Sequence, residues 1–180
     1  MMRLQTARLT IRRFQPSDVS AFAAYRNDLD VARYQSWSAP LQDGEAQRLV
    51  SLLADGDPSA PGWFQYALED SAEGVLVGDI GVNLHDNGMQ ADIGFTLARQ
   101  WQGRGYAFEG VSRILEHLFA ERKLHRISAE CDARNAASVY LLERLGFARE
   151  GLRRENTWIK GEWTDDLLYG LLARDWHSAR

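Results

Sequence analysis

The segment around Gly103 and Gly105 constrains the fold of this chain more than any other stretch. Two glycines separated by one residue follow an apolar, strand-like run at residues 89–97 and precede a long amphipathic pattern at residues 106–122. Glycine adopts positive φ without a steric penalty, and the first turn of a helix leaves backbone N–H groups without partners. The segment therefore predicts a tight strand-to-helix turn whose helix end attracts an anion.

Two familiar phosphate-binding loops do not match this segment. A loop of the G-x-x-x-x-G-K-[ST] type needs a lysine after its second glycine, but Val111 follows Gly110. A G-x-G-x-x-G dinucleotide fingerprint needs a glycine where Phe108 stands, and the preceding strands lack the βαβ context. A bare G-x-G turn is by itself also compatible with a structural turn that binds no ligand.

Hydrophobic periodicity predicts one α+β domain over residues 1–180. Apolar residues alternate in several short runs and recur at helical spacing in others, and the pair Asn87-Gly88 between two apolar runs indicates a hairpin. The middle of the chain therefore reads as an antiparallel meander. The predicted strands are residues 9–14, 63–69, 75–84, 89–97, 126–131, 147–159 and 163–172. The predicted helices are residues 19–26, 43–53, 106–122 and 136–145.

Composition narrows the function classes. The chain has 180 residues, 45 % of them hydrophobic, with a formal net charge of −4, so we expect a globular protein whose surface does not serve nucleic acid or membrane binding. A single cysteine, Cys131, excludes an intramolecular disulfide and a cysteine-built metal site, and the four histidines show no ligand spacing, so we expect no metal. The absence of a signal-like or membrane-spanning apolar stretch predicts a cytoplasmic, soluble protein.

Several motifs together resemble one enzyme superfamily. Gln100, Gly103 and Gly105 meet the pattern [QR]-x-x-G-x-[GA] directly after a predicted strand. A second block comprises residues 125–127, 131–138 and 143–147, and residues 6–12 and 161–165 extend the match towards both ends. On these residues the chain resembles the GNAT superfamily of N-acetyltransferases and, within it, the RimJ/RimL-type enzymes that acetylate the N-termini of ribosomal proteins.

The resemblance implies a fold and a substrate site. We expect a mixed, mostly antiparallel central sheet flanked by helices, with a V-shaped cleft that binds acetyl-coenzyme A. Its pantetheine would pair with the backbone of Phe95, Thr96 and Leu97, and the N–H of Leu97 would polarise the thioester carbonyl. Asn135 is expected to cap a helix and, by resemblance, to contact pantetheine. The residues expected at the diphosphate are Gln102, Gly103, Arg104, Gly105, Tyr106 and Ala107.

Candidate catalytic residues follow from the chemistry of acyl transfer. The general base is either Asp92 or Glu155, with a narrow preference for Glu155, although each carboxylate can equally be a solvated or ion-paired side chain. Many superfamily members protonate the departing thiolate with a tyrosine, but Leu142 stands at that position here. Ser138 is the preferred hydroxyl, because it lies one turn before Leu142 on the same face of the predicted helix. Tyr140 is the alternative, since it points about 200° away from Ser138 on an ideal helix.

These residues lead to three functional hypotheses. The first is direct transfer of an acetyl group from acetyl-CoA to a primary amine, in particular the α-amine of a protein N-terminus. The second is the same reaction on a small amine such as a polyamine, an aminoglycoside or an amino acid. The third is a non-catalytic CoA-binding module, and pairing of the chain as a homodimer is left open.

Overall fold

The computed structural model describes residues 3–178, and within them eight strands form one sheet in the order β1-β2-β3-β4-β5-β6-β8-β7. Residues 1, 2, 179 and 180 of the predicted domain lie outside the described part. Pairing is antiparallel except between β5 and β6, which confirms a mixed, mostly antiparallel sheet. The strands are Leu4–Gln5 (β1), Leu9–Arg12 (β2), Gly62–Asp70 (β3), Leu76–Leu84 (β4), Gln90–Leu97 (β5), Arg126–Asp132 (β6), Ala148–Ile159 (β7) and Glu162–Leu172 (β8).

Helices flank the sheet, largely where periodicity predicts them. The predicted helix at residues 106–122 ends its α-helical part at Glu116 and continues as a π-helical turn, His117–Glu121. Two short helices, Leu29–Ala32 and Ala173–Ser178, were not predicted because four to six residues are too few to show a 3.6-residue period. The α-helices are Val19–Asn27 (α1), Leu29–Ala32 (α2), Glu45–Asp55 (α3), Tyr106–Glu116 (α4), Ala136–Arg144 (α5) and Ala173–Ser178 (α6).

The cleft originates where β5 and β6 separate. Their parallel pairing ends at Ile93 and Ala129. Both strands nevertheless continue, β5 to Leu97 and β6 to Asp132, so their carboxyl ends diverge and form the expected V. Backbone groups beyond Ile93 thereby lose a neighbouring strand and become available to a ligand.

The two faces of the sheet differ in cover. On one face α4 packs closely, because Gly110 lies near Leu68 and Ile80 and a Cβ at this position would approach Leu68 to 3.3 Å. On the other face α1 covers only part of the sheet, where Tyr25 donates a hydrogen bond to the buried carboxylate of Asp79. Burial and the Asp79 charge raise the pKa of Tyr25 well above its ordinary value.

β2 is more buried than its sequence suggests. The alternation of residues 9–14 indicates a strand with a mixed environment, yet all four residues of β2 are buried. Arg12 is accommodated because its guanidinium bonds to Asp18 at 2.8 Å and to Glu69 at 2.7 Å.

Within residues 3–178, no helix combines the length and the apolar character needed to cross a bilayer.

Candidate active site

A cavity of about 400 Å³ lies at the carboxyl end of β5, on the side where β5 has parted from β6. It brings together β5, the glycine loop, the start of α4, the exposed side of α5 and residues 30–35. The lining residues that the sequence predicts are Phe95, Thr96, Leu97, Gln102, Gly103, Gly105, Tyr106, Ala107, Asn135, Ser138 and Tyr140.

The glycine loop has the geometry of an anion cradle. Gly103 and Gly105 have φ of 69° and 84°, a region that side chains rarely adopt, and Gly105 is the N-cap of α4. No side chain in the described part of the chain caps this helix, so its first N–H groups remain available to a ligand in the cavity that Gly105, Tyr106 and Ala107 line. Gln102 closes the loop by donating from Nε2 to the carbonyl oxygen of Leu97 at 2.9 Å. Backbone donors and a helix N-terminus at one position fit a diphosphate.

Arg8 binds the backbone of the glycine loop, although the sequence did not predict it as a site residue. Its Nη1 donates to the carbonyl of Arg104 at 3.0 Å, its Nε donates to Glu109 at 2.7 Å, and its guanidinium lies 4.2 Å from the centre of the Tyr106 ring. Burial alone would raise the pKa of Glu109, but hydrogen bonds from Thr6 and Arg8 hold it below the usual value. Arg8 belongs to the opening motif, which gave no indication of this role.

The edge of β5 presents backbone amides to the cavity. The N–H of Ala98 donates to the carbonyl of Val77 on β4 at 2.9 Å. Because bonded and non-bonded pairs alternate in an antiparallel ladder, the polar backbone groups of Leu97 and Phe95 point away from β4 and towards the opening. This orientation suits the expected pairing of an amide-bearing ligand along residues 95–97.

Both candidate hydroxyls line the same cavity. Asn135 caps α5, as predicted, by accepting a hydrogen bond from the N–H of Ser138 at 3.2 Å. Tyr140 lies on the face that also carries Ala137 and Arg144, and this face lines the cavity together with Ser138. The 200° separation on an ideal helix therefore does not distinguish the two hydroxyls. Leu142 is 1 % exposed and belongs to the core instead.

Three predicted site residues lie outside the cavity lining. The guanidinium of Arg104 lies 5.0 Å from the Trp101 ring centre, and Arg104 is not among the lining residues, so its expected contact with the diphosphate stays a prediction. Asp92 accepts a hydrogen bond from Asn83 at 3.0 Å and pairs with His85 at 2.9 Å. Glu155 is exposed at a register shift of β7.

A groove lies over β5 on the open sheet face next to the cavity. Strand register aligns Trp63, Asn83, Asp92 and Ser128 in one row across β3 to β6. The neighbouring row contains Gly81 paired with Gly94, and a Cβ at Gly94 would meet no atom within 4 Å. Gly81 is covered by Gln65 and Trp63, whose atoms would lie 2.6 Å and 3.1 Å from a Cβ there, so the open depression lies over Gly94 of β5, one residue before Phe95.

Sequence reasoning missed the wall opposite α5. Asp30, Val31, Tyr34 and Gln35 line the cavity, and they lie on and directly after the unpredicted helix α2. The aromatic passage around Tyr34 and Trp37 was the available signal, but it showed no period.

The described part of the chain contains no group of three or more His, Cys, Asp or Glu side chains arranged to hold a metal ion.

Comparison with known proteins agrees with this geometry. Residues 8–148 match the family model of the acetyltransferase (GNAT) domain. The uncharacterized N-acetyltransferase p20 of Bacillus licheniformis is 30 % identical over 181 residues, covering 98 % of this chain and 99 % of that protein. The [ribosomal protein uS5]-alanine N-acetyltransferase of Escherichia coli is 34 % identical over 88 residues, covering 49 % of this chain and 45 % of the enzyme.

Solved structures show the same fold. A GNAT-family acetyltransferase from Bacillus anthracis superposes with a TM-score of 0.87 at 27 % identity, covering 96 % of this chain and 99 % of that one. The spermidine N-acetyltransferase of Vibrio cholerae, solved with CoA and spermine, superposes with a TM-score of 0.80 at 22 % identity over 96 % of this chain and 99 % of that one. The chain therefore belongs to the GNAT family and is an acetyl-CoA-dependent N-acetyltransferase.

Proposed function

We propose that the acceptor is the α-amine of a protein N-terminus. The observation that carries this proposal is the open groove over Gly94, which is bordered by the 64 % exposed ring of Trp63 above the neighbouring Gly81 rather than closed into a pocket. An extended peptide end can lie in such a groove and bring its terminal nitrogen to the edge of β5. The uS5-alanine N-acetyltransferase relative supports the same class of acceptor.

In the proposed reaction, an amine that lies in the groove reacts with acetyl-CoA bound in the cavity. The amine nitrogen attacks the thioester carbon, the C–S bond breaks, the amine gives up a proton, and the leaving thiolate takes one up. The N–H of Leu97 stabilises the charge that develops on the carbonyl oxygen. Ser138 or Tyr140 protonates the thiolate, since both line the cavity at α5.

An α-amine makes modest demands on the base. Its pKa is about 7.7–8.0, compared with about 10.4 for a lysine side chain, so a substantial fraction is neutral near pH 7. Asp92 is our preferred base on structural grounds, because it lies two residues before Gly94 on the same face of β5. It also pairs with His85, which offers a path for the proton to solvent. Glu155 remains the alternative, at the exposed bulge of β7.

A small polyamine is the second candidate acceptor. Glu130 and Asp166 lie near Asp92 on the open sheet face, and burial together with the Asp166 charge raises the pKa of Glu130. Carboxylates crowded in this way favour a ligand with several positive charges. The structural neighbour that acts on spermidine has the same fold.

Release of the CoA thiol from acetyl-CoA distinguishes these acceptors. The panel contains peptides with a free N-terminus, the same peptides with a blocked N-terminus and an internal lysine, spermidine, and an aminoglycoside. We expect turnover of the free peptides and none of the blocked ones. Turnover of spermidine alone would replace the first proposal by the second, and turnover of the blocked peptides would contradict the α-amine specificity.

A glycine substitution tests the groove itself. Gly94→Ala adds one methyl group into open space, so the fold and the CoA affinity are expected to stay unchanged while the acceptor KM rises about tenfold. Gly151→Ala on β7 is the matched control, since its Cβ would also make only an ordinary contact, at 3.5 Å from Leu168, away from the groove. Equal acceptor KM in the wild type and Gly94→Ala would contradict the groove as the acceptor site.

A further inference from the structure

Residues 28–35, which we call the strap, form one wall of the acetyl-CoA cavity but have little regular structure of their own. Four strap residues line the cavity, and the only helix within the strap is the four-residue α2. A helix of this length is not stable in isolation. Val31 and Ala32 are buried, so the strap is packed at its centre, and its two ends depend on side chains from elsewhere.

The first end of the strap is held by Arg99. Asp28 caps α2 by accepting from the N–H of Asp30 at 2.9 Å, and the same carboxylate receives a two-point contact from Arg99, from Nε at 2.9 Å and from Nη2 at 2.5 Å. Arg99 also contacts Asp30 at 2.5 Å. The hydrogen bonds from Arg99 lower the pKa of Asp28. Arg99 lies between β5 and the glycine loop, so this end is tied to the β5 arm of the cleft.

The second end of the strap is held by Lys160. Its ammonium donates hydrogen bonds to the carbonyls of Ala32 and Gln35, the latter at 2.7 Å. Desolvation in these surroundings lowers the pKa of Lys160. Lys160 and Gly161 form the tight turn between β7 and β8, both with positive φ, so this end is tied to the opposite arm.

The two attachments make the strap a bridge between the arms of the V. We propose that Arg99 and Lys160 are positioning residues that hold the strap across the acetyl-CoA cleft and thereby set the affinity for CoA. Hydrogen bonds from charged donors are among the stronger ones in proteins, and their loss lets the wall formed by Val31 and Tyr34 move away from the cavity. The proposal concerns the CoA side of the reaction and holds whichever amine is the acceptor.

Lysine labelling tests the proposal directly, because Lys123 and Lys160 are the two lysines of the chain. An amine-reactive ester is applied to the wild-type protein with and without saturating CoA, and modification at each lysine is followed by mass spectrometry. We expect CoA to slow the labelling of Lys160 at least threefold and to leave Lys123 unchanged. A merely structural Lys160 would react at the same rate in both conditions, and that result would overturn the proposal.

Substitution provides the second test. Lys160→Met is expected to raise the calorimetric Kd for CoA roughly tenfold, corresponding to the loss of about one charged hydrogen bond, while Lys123→Met leaves it unchanged. Arg99→Gln releases the other end and is expected to have a similar effect, which keeps the proposal testable if Lys160→Met does not fold. A folded Lys160→Met or Arg99→Gln with wild-type Kd would contradict the proposal. Failure of the wild type to bind CoA would instead contradict the cofactor assignment.

Discussion

At the scale of single residues, two hydroxyl groups line the cavity in which we propose that the thiolate departs. Ser138 lies in the first turn of α5, and Tyr140, 67 % exposed, projects from the following face of the same helix. Leu142, at the position where the resemblance leads us to expect a tyrosine, is buried, so we propose that Ser138 or Tyr140 supplies the acid. Local helix geometry cannot decide this, because both side chains border one cavity.

Ser138→Ala and Tyr140→Phe separate the two roles. We expect Ser138→Ala to lower kcat about 10²-fold with little change in the Kd for CoA, because a general acid acts in the transition state. Tyr140→Phe is the matched control, and each variant is assayed at saturating acetyl-CoA. The reverse result would assign the role to Tyr140, and a wild-type kcat in both variants would remove a hydroxyl acid from the mechanism.

The single cysteine is expected to be unreactive in the folded protein. Burial, followed by the charge of Asp132, raises the pKa of Cys131 to about 11. The thiolate is the reactive form, so at pH 8 labelling by a disulfide reagent should be roughly 100-fold slower than in the denatured chain and should accelerate as pH rises towards 11. Rapid labelling of the native protein at pH 8 would contradict this burial.

At the scale of elements, we expect the loop between β5 and α4 to determine where the diphosphate of CoA binds. Gly105→Val is expected to abolish CoA binding, because it places a branched side chain at φ 84° and a Cβ 3.3 Å from Nη2 of Arg8. The substitution also lowers the free energy of unfolding by about 1–3 kcal/mol through backbone strain, so a second variant must control for this strain.

Gly74→Val is the control for this strain. Gly74 has a comparable φ of 67°, its Cβ would meet no atom within 4 Å, and it lies in the turn between β3 and β4. Both variants should lose thermal stability, but only Gly105→Val should lose CoA binding in calorimetry. A similar loss of affinity in both variants would show that strain rather than the cradle is responsible.

At the scale of the whole molecule, the proposed CoA site lies between two arms of the sheet that are not paired with each other beyond Ile93 and Ala129. A ligand that contacts both arms stabilises the folded state by mass action, about 2.7 kcal/mol at a concentration 100 times Kd. For a chain of this size that corresponds to a rise in Tm of roughly 5–10 °C.

Differential scanning fluorimetry checks this expectation with CoA and, as a control, with ATP at the same concentration, about 100 times the Kd for CoA. ATP carries phosphates but no pantetheine to lie along residues 95–97, so its effect should be much smaller. An equal or larger shift with ATP would indicate a general phosphate site rather than an acyl-CoA cleft.

The local elements of this protein can be predicted from its amino-acid sequence. The glycine loop at the start of α4, the Asn135 cap of α5 and most strands and helices are confirmed, because caps, positive-φ positions and hydrophobic periods depend on neighbouring residues. The α+β class and the antiparallel meander of β3, β4 and β5 follow from the same signals, whereas the mixed, mostly antiparallel sheet as a whole was implied by the resemblance.

Only the tertiary structure decided how the cleft is closed and supported. Arg8 meets Glu109 across 101 residues, Lys160 meets the strap across more than 120, and β5 parts from β6 after four residue pairs. Such contacts depend on which distant segments the folded sheet brings together, and a charged side chain in the sequence does not indicate its distant partner. The bulge at Glu155 and the four-residue α2 escaped prediction for a related reason, since neither is long enough to show a period.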